Sequence, residues 1–188
     1  MAPTPFPALT AETAPPAAQR SIEATERRLG YVPSAVARLA ASPELLNGFL
    51  RLSAALEAST LDPLAREVVV MTIATRNACH LCVAMHTAKL AELGADPELV
   101  SALRDGRAPA DPRLAAVHRF TLEVIATAGA VPAGELADFL AHGHTPRNAL
   151  EVVLAIGVYT MSTLANRLVD APVDDALAPF AWTGLPAA

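Results

Sequence analysis

Apolar and polar residues along this chain recur with the 3.6-residue period of helices that bury one face, and no run of β-branched residues alternates with polar ones. Ser21 to Leu29 is amphipathic and stops at Gly30, a residue suited to the left-handed turn that ends a helix. Pro33 to Ala41 is a second short helix, and Ser42-Pro43 then supplies a capping hydroxyl and a proline at the first helical position for a helix reaching about Ala58. Asp62-Pro63 repeats that signal. It opens a helix toward Thr75 whose run Val68, Val69, Val70, Met71 and Ile73 is apolar enough to be central to the core. Asn77 is the next predicted N-cap, for a helix from Ala78 through Leu93 that Gly94 terminates. Asp96-Pro97 and Asp111-Pro112 start two more, with Gly106 between them. Pro132 to Ala141 follows, and Thr145-Pro146 opens a last long helix through about Leu168. The predicted fold class is all-α.

Arg66-Glu-Val-Val-Val-Met-Thr-Ile-Ala resembles Leu150-Glu-Val-Val-Leu-Ala-Ile-Gly-Val at an offset of 84 residues, which suggests a duplicated helical motif. Glu67 then matches Glu151, while Thr163, Asn166 and Asp170 fall where Cys79, Cys82 and His86 stand in the first copy. The organisation predicted is a Pro/Ala-rich extension over 1–20 and one helical domain over 21–188. Its first half, about 21–95, carries the chemistry, its second half, about 96–175, is a degenerate repeat, and a C-terminal tail follows.

Composition narrows the class. A chain of 188 residues, 53% hydrophobic, is long enough for one compact core. The net charge is −5 and the 14 basic residues are scattered, so no nucleic-acid surface is expected. The first 20 residues lack a basic region followed by an apolar core, and the most apolar stretch, Leu150 to Ala165, is shorter than the roughly 20 residues of a membrane span. A buried helix and a cytoplasmic protein are expected. No phosphate-cradling glycine loop precedes a helix, so no cofactor is expected.

The two cysteines are the most informative feature. They stand three apart, and in a reducing compartment that spacing points to redox or metal chemistry rather than a structural staple. On a helix turning about 100° per residue, Cys79, Cys82 and His86 share one stripe about 60° wide, whereas His80 is rotated off it and is a secondary candidate. The helix N-terminus favours a thiolate at Cys79, and His86, one turn beyond Cys82, is placed to take a thiol proton directly or through a water. Glu67 could orient His86, yet in one unbroken helix it would lie about 18 Å from Cys79 along the axis. The helix must therefore break near Arg76-Asn77 and fold back.

Glu67, eleven intervening residues, Cys79-x-x-Cys82, three residues and His86 match, without a gap, the motif of the alkyl hydroperoxidase D-like branch of the carboxymuconolactone decarboxylase family. The resemblance extends through Leu29-Gly-Tyr-Val-Pro33, Ser42-Pro-Glu-Leu and Asn166-Arg-Leu, over about residues 25–175, and is nearest to the peroxidase-related two-repeat group. It implies a two-repeat helical bundle, reduction of organic hydroperoxides or hydrogen peroxide, and a proton relay from Glu67 through His86 to Cys82. It also implies that Cys82 attacks and Cys79 resolves the sulfenic acid to a disulfide. The reductant would be an external thiol protein or a dihydrolipoamide-type donor, and the assembly a homo-oligomer: dimer, trimer or hexamer. One departure is that some members carry a His immediately before the second cysteine, where this chain has Leu81, with His80 one place earlier.

Other readings compete with this one. Two thiolates and an imidazole can bind zinc, although i, i+3 and i+7 on one helix converge poorly on an ion, so no metal is expected. A non-enzymatic redox sensor or disulfide relay and a lactone decarboxylase are the functional alternatives, the latter disfavoured by the cysteine pair itself. His118, His142 and His144 are expected to pack or to face solvent. Trp182 is expected to dock the C-terminal tail.

Overall fold

The computed structural model describes residues 4–184. Among the described residues there are nine α-helices and no strand: α1 (Pro16–Leu29), α2 (Ser34–Leu39), α3 (Pro43–Glu57), α4 (Pro63–Arg76), α5 (His80–Glu92), α6 (Pro97–Arg104), α7 (Pro112–Ala126), α8 (Ala133–Ala141) and α9 (Pro146–Leu168), followed by a 3-10 turn at Asp175–Phe180. Five of these starts are written locally. Ser42, Asp62, Asp96, Asp111 and Thr145 each precede a proline, and each side chain accepts a backbone N–H of the first helical turn. A cap of this kind contributes about 1 kcal/mol to its helix. Two starts differ from the sequence expectation by more than one residue. The first helix opens at Pro16 rather than Ser21. The cysteine helix opens at His80 with Cys79 as its N-cap, not at Ala78 with Asn77.

α4 occupies the centre, as its all-round apolar sequence requires, packing against α5, α7 and α9. Val68, Val69, Val70, Met71 and Ile73 are all buried, on every side of the helix. A smaller cluster joins Ala14, Ala18 and Ile22 of the N-terminal segment to Leu39, Leu46, Ala165 and Val169. α9 spans 23 residues between the start and end that the sequence predicts, and is long and apolar enough by composition alone to cross a bilayer. Just over half of its most apolar window, 56%, is buried within the protein.

Glu151 ties the two halves together. Its carboxylate, on α9, accepts the Thr60 N–H at 2.9 Å, the Thr60 hydroxyl, the Asn148 amide at 3.0 Å and the Arg147 guanidinium at 3.1 Å. Burial pushes this carboxyl up, and the bonds from Thr60 and Asn148, with Arg147, outweigh it to hold the group below its ordinary value. The clip fixes the loop that leads into α4. Glu151→Leu leaves the Thr60 N–H and the Asn148 amide without their partner, and a loss of about 1–3 kcal/mol in urea unfolding is expected.

Two histidines are packing residues. His118 is buried in α7, and His144 stacks on Phe139 with centroids 4.4 Å apart while its Nε2 donates to the Arg113 carbonyl at 3.1 Å. Burial holds both imidazoles below their ordinary value of 6.5. The folded chain keeps them neutral while the unfolded chain protonates, so their contribution to stability is complete above about pH 6.5 and declines as pH falls below it. Unfolding midpoints measured from about pH 7 to about pH 5 should therefore fall less steeply in a His118→Leu, His144→Gln double variant than in the wild type.

Candidate active site

The fold-back that the sequence demands is built at the end of α4. Asn77 is the C-cap and Ala78 takes a left-handed backbone with φ of 49°. The Ala78 N–H then bonds the Thr75 carbonyl and the Cys79 N–H bonds the Ala74 carbonyl, each at 3.0 Å, which is the double bond pattern of a Schellman helix end. Cys79, the last residue of that motif, is also the first of the next: its Sγ accepts the Cys82 N–H at 3.4 Å as the N-cap of α5. One helix thus ends and another begins around a single cysteine. The stripe predicted for Cys79, Cys82 and His86 holds within the helix for the last two, while Cys79 reaches the site as a cap.

The Cys79 and Cys82 sulfurs lie at disulfide distance, with Cα atoms 5.3 Å apart. Both residues are buried. Because α5 returns alongside α4, Glu67 Oε2 meets His86 Nδ1 at 2.7 Å, 19 residues apart in sequence. The side chains are only 10% and 12% exposed, so this bond is protected from competing water. With Nδ1–H donated to the carboxylate, the neutral ring has its Nε2 lone pair free to accept a proton. Tyr159 of α9 sets its ring edge-on to His86 at 5.0 Å, and Phe49 of α3 packs edge-on to Tyr159 at 6.1 Å. Burial, opposed by a Ser53 hydrogen bond and reinforced by Glu67 and Glu57, pushes the Tyr159 phenol up to about 12, so it stays neutral.

His80, the secondary candidate, is engaged elsewhere. Its Nδ1 meets the Trp182 carbonyl at 2.7 Å and its ring lies 5.2 Å from the indole. Trp182 in turn donates to the Arg104 carbonyl at 3.0 Å, and the Arg104 guanidinium donates to the Phe180 and Ala181 carbonyls. The C-terminal segment is thereby pinned across the start of α5.

Sequence reasoning missed the contribution of α9. Asn77 Nδ2 donates to Thr163 Oγ1 at 2.9 Å, Arg167 donates to the Asn77 carbonyl at 2.7 Å, and Asn166 Nδ2 lies 3.4 Å from Cys82 Sγ. The signal was present, since Thr163 and Asn166 are the positions the offset of 84 pairs with Cys79 and Cys82. α9 runs straight through Leu168 where α4 stops at Arg76, so these residues meet the first-half break instead of repeating it.

A buried cysteine pair beside a carboxylate–imidazole pair in an all-helical bundle is the candidate site, and comparisons with known proteins give the chain's likenesses. Residues 43–123 match the carboxymuconolactone decarboxylase family. That matched segment, which holds Glu67, Cys79, Cys82 and His86, is similar to the family. The alkylhydroperoxidase D core of an uncharacterized peroxidase-related protein from Ralstonia eutropha JMP134 superposes with a TM-score of 0.81 and 21% identity, covering 93% of this chain and 94% of its own. A second uncharacterized peroxidase-related protein, from Silicibacter sp. TM1040, gives 0.76 and 22%, covering 94% and 95%. A cysteine-to-alanine variant of a debrominase, in complex with 2,3,4-tribromopyrrole, gives 0.71 and 14%, covering 95% and 96%. These structures share the all-helical fold. No curated protein matches the sequence.

Ala78 holds a backbone conformation that costs an L-residue with a Cβ roughly 1–2 kcal/mol and glycine almost nothing. Ala78→Gly, after the entropy that glycine adds to the unfolded chain, should raise unfolding stability by about 0.5–1 kcal/mol without moving the cysteines, as read by thermal denaturation and thiol–disulfide cycling.

Proposed function

We propose that this protein is a thiol-dependent peroxidase that reduces organic hydroperoxides or hydrogen peroxide. The observation that carries the reading is the buried 2.7 Å bond between Glu67 and His86, one helical turn from a cysteine pair at disulfide distance. In this reading His86 takes the Cys82 proton, Glu67 steadies the imidazolium, and the Cys82 thiolate attacks the peroxide. Cys79 then displaces water from the Cys82 sulfenic acid to form the disulfide. A thiol reductant protein or a dihydrolipoamide-type donor regenerates the dithiol, with no bound cofactor and no metal. A cytoplasmic location, where such donors are reduced, and a homo-oligomeric state belong to the same proposal. Leu150, Leu164 and Leu168, exposed along α9, support the latter.

The debrominase fold neighbour favours naming a second reading. The same dithiol could reduce an aryl bromide, two thiols and Ar–Br giving a disulfide, Ar–H and HBr. A single-turnover redox relay and a thiol-independent decarboxylase are the remaining alternatives.

Steady-state consumption of tert-butyl hydroperoxide with dithiothreitol separates them. Wild type should turn over many equivalents and release no bromide from a bromopyrrole. Cys82→Ser should abolish consumption from the first turnover, Cys79→Ser assayed without dithiothreitol should consume about one equivalent and stop with no disulfide formed, and His86→Ala should slow turnover by roughly 10²–10⁴-fold. Oxidation that halts after one equivalent in wild type would leave the relay, and activity that survives thiol alkylation would leave the decarboxylase.

A further inference from the structure

Asn166 stands on α9 with its side chain against the sulfur to which the proposed function assigns the attack. It is 5% exposed, and its Nδ2 lies 3.4 Å from Cys82 Sγ and 3.4 Å from Ser162 Oγ. Its Oδ1 is buried and has no hydrogen-bond partner, one of few such atoms among the described residues. A buried carbonyl oxygen without a donor is unfavourable, and native folds seldom keep one unless a donor arrives from outside the chain. Here the orphan acceptor and the N–H donor belong to one planar amide whose nitrogen touches a reactive sulfur.

The two ends suit successive demands of the reaction. An N–H aimed at sulfur favours the anion, because a thiolate accepts hydrogen bonds strongly and a thiol weakly. A hydroperoxide brings one donor, the O–H on the very oxygen that sulfur attacks. Within the peroxidase reading, on which this inference rests, we propose that Asn166 is a catalytic residue: its Nδ2–H steadies the Cys82 thiolate and its Oδ1 accepts the terminal O–H of the hydroperoxide.

The step balances. The Cys82 sulfur lone pair forms the S–O bond, the O–O bond breaks, and its electron pair leaves on the alkoxide, which takes the proton that His86 removed from the thiol. The transferred oxygen keeps its hydrogen, now as the Cys82 sulfenic acid, still donating to Asn166 Oδ1. The Cys79 thiolate then forms the S–S bond as the S–O bond breaks, and the departing hydroxide is protonated to water. Asn166 holds the peroxide by its O–H and changes no covalent bond of its own. This use of the amide also explains why α9 carries a small polar residue against Cys82.

The test is made in a Cys79→Ser background, where Cys82 is the only thiol, comparing Asn166 with Asn166→Leu and Asn166→Asp. The first readout is ultraviolet thiolate absorbance against pH. Both variants should raise the Cys82 midpoint by about one to two units, since each removes the N–H donor. The second is the ratio of the rate constant with tert-butyl hydroperoxide to that with iodoacetamide, each corrected for thiolate fraction. Iodoacetamide needs a thiolate but has no O–H to offer. Asn166→Leu should lower the ratio by roughly tenfold or more, whereas Asn166→Asp, which keeps an acceptor oxygen, should hold it near the wild-type value. An unchanged midpoint in the variants overturns the donor role, and an unchanged ratio in Asn166→Leu overturns the acceptor role. If Asn166→Leu fails to fold by circular dichroism, Asn166→Asp still decides: its midpoint must rise and its ratio must hold. If Cys82 in the Asn166 protein reacts with iodoacetamide but not with the hydroperoxide, the peroxidase reading and the acceptor role fall together. The pH titration then still measures the N–H donor by itself.

Discussion

The reversal of the chain between Arg76 and Cys79 is the constraint on which the site depends. A continuous helix would keep Glu67 and His86 at opposite ends of a rod. The Schellman end at Ala78 turns the backbone, and Cys79 closes that motif while opening the next helix. Glu67 is consequently beside His86, and Cys79 is held against the first turn of α5, with Cys82 one turn from the imidazole. The backbone conformation at Ala78 is unfavourable for a residue with a Cβ. It persists because α4, buried on every side, and α5, packed against it, fix both ends of the turn.

The turn is also held from outside. α9 supplies the hydroxyl of Thr163 and the guanidinium of Arg167 to Asn77, the residue at which α4 ends. Tyr159 of the same helix limits the position of His86. Such support requires α9 to pass the break as a straight rod, which is why the similarity between Leu150–Val158 and Arg66–Ala74 does not continue as a second reversal. Glu67 and Glu151 show the division of labour. Both are buried carboxylates at matching positions, yet Glu67 faces a lone imidazole whereas Glu151 is saturated by Thr60, Asn148 and Arg147. Only the former has a partner that can pass a proton onward.

Burial shapes what the pair can do. Cys79 and Cys82 are nearly closed off from solvent, and the Glu67–His86 bond lies at low exposure, where a hydrogen bond to a charged group is strengthened by the scarcity of water. The C-terminal segment, pinned through Trp182, His80 and Arg104, covers the start of the cysteine helix. In the proposed peroxidase, that closure favours small substrates at the sulfurs and shields the proposed proton relay from solvent.

The sequence by itself determined the helical fold, most helix starts and four residues of the candidate site. Caps, proline at the first helical position and the 3.6-residue apolar period act over a few residues, so Ser42, Asp62, Asp96, Asp111 and Thr145 could be read directly. Glu67, Cys79, Cys82 and His86 were legible from spacing and motif, and the need for a break near Arg76 followed from helix dimensions alone. The form of that break did not. No glycine marks it, and a left-handed alanine has no local signature because only packing on α4 and α5 compensates its strain, so Asn77 read as a cap for the wrong helix. The placement of Asn166, Thr163 and Tyr159 was likewise decided by tertiary structure, for contacts across 73 or more residues depend on how α9 crosses α4. Local chemistry selects the elements and the reactive groups; the packing of distant helices decides which of those groups touch.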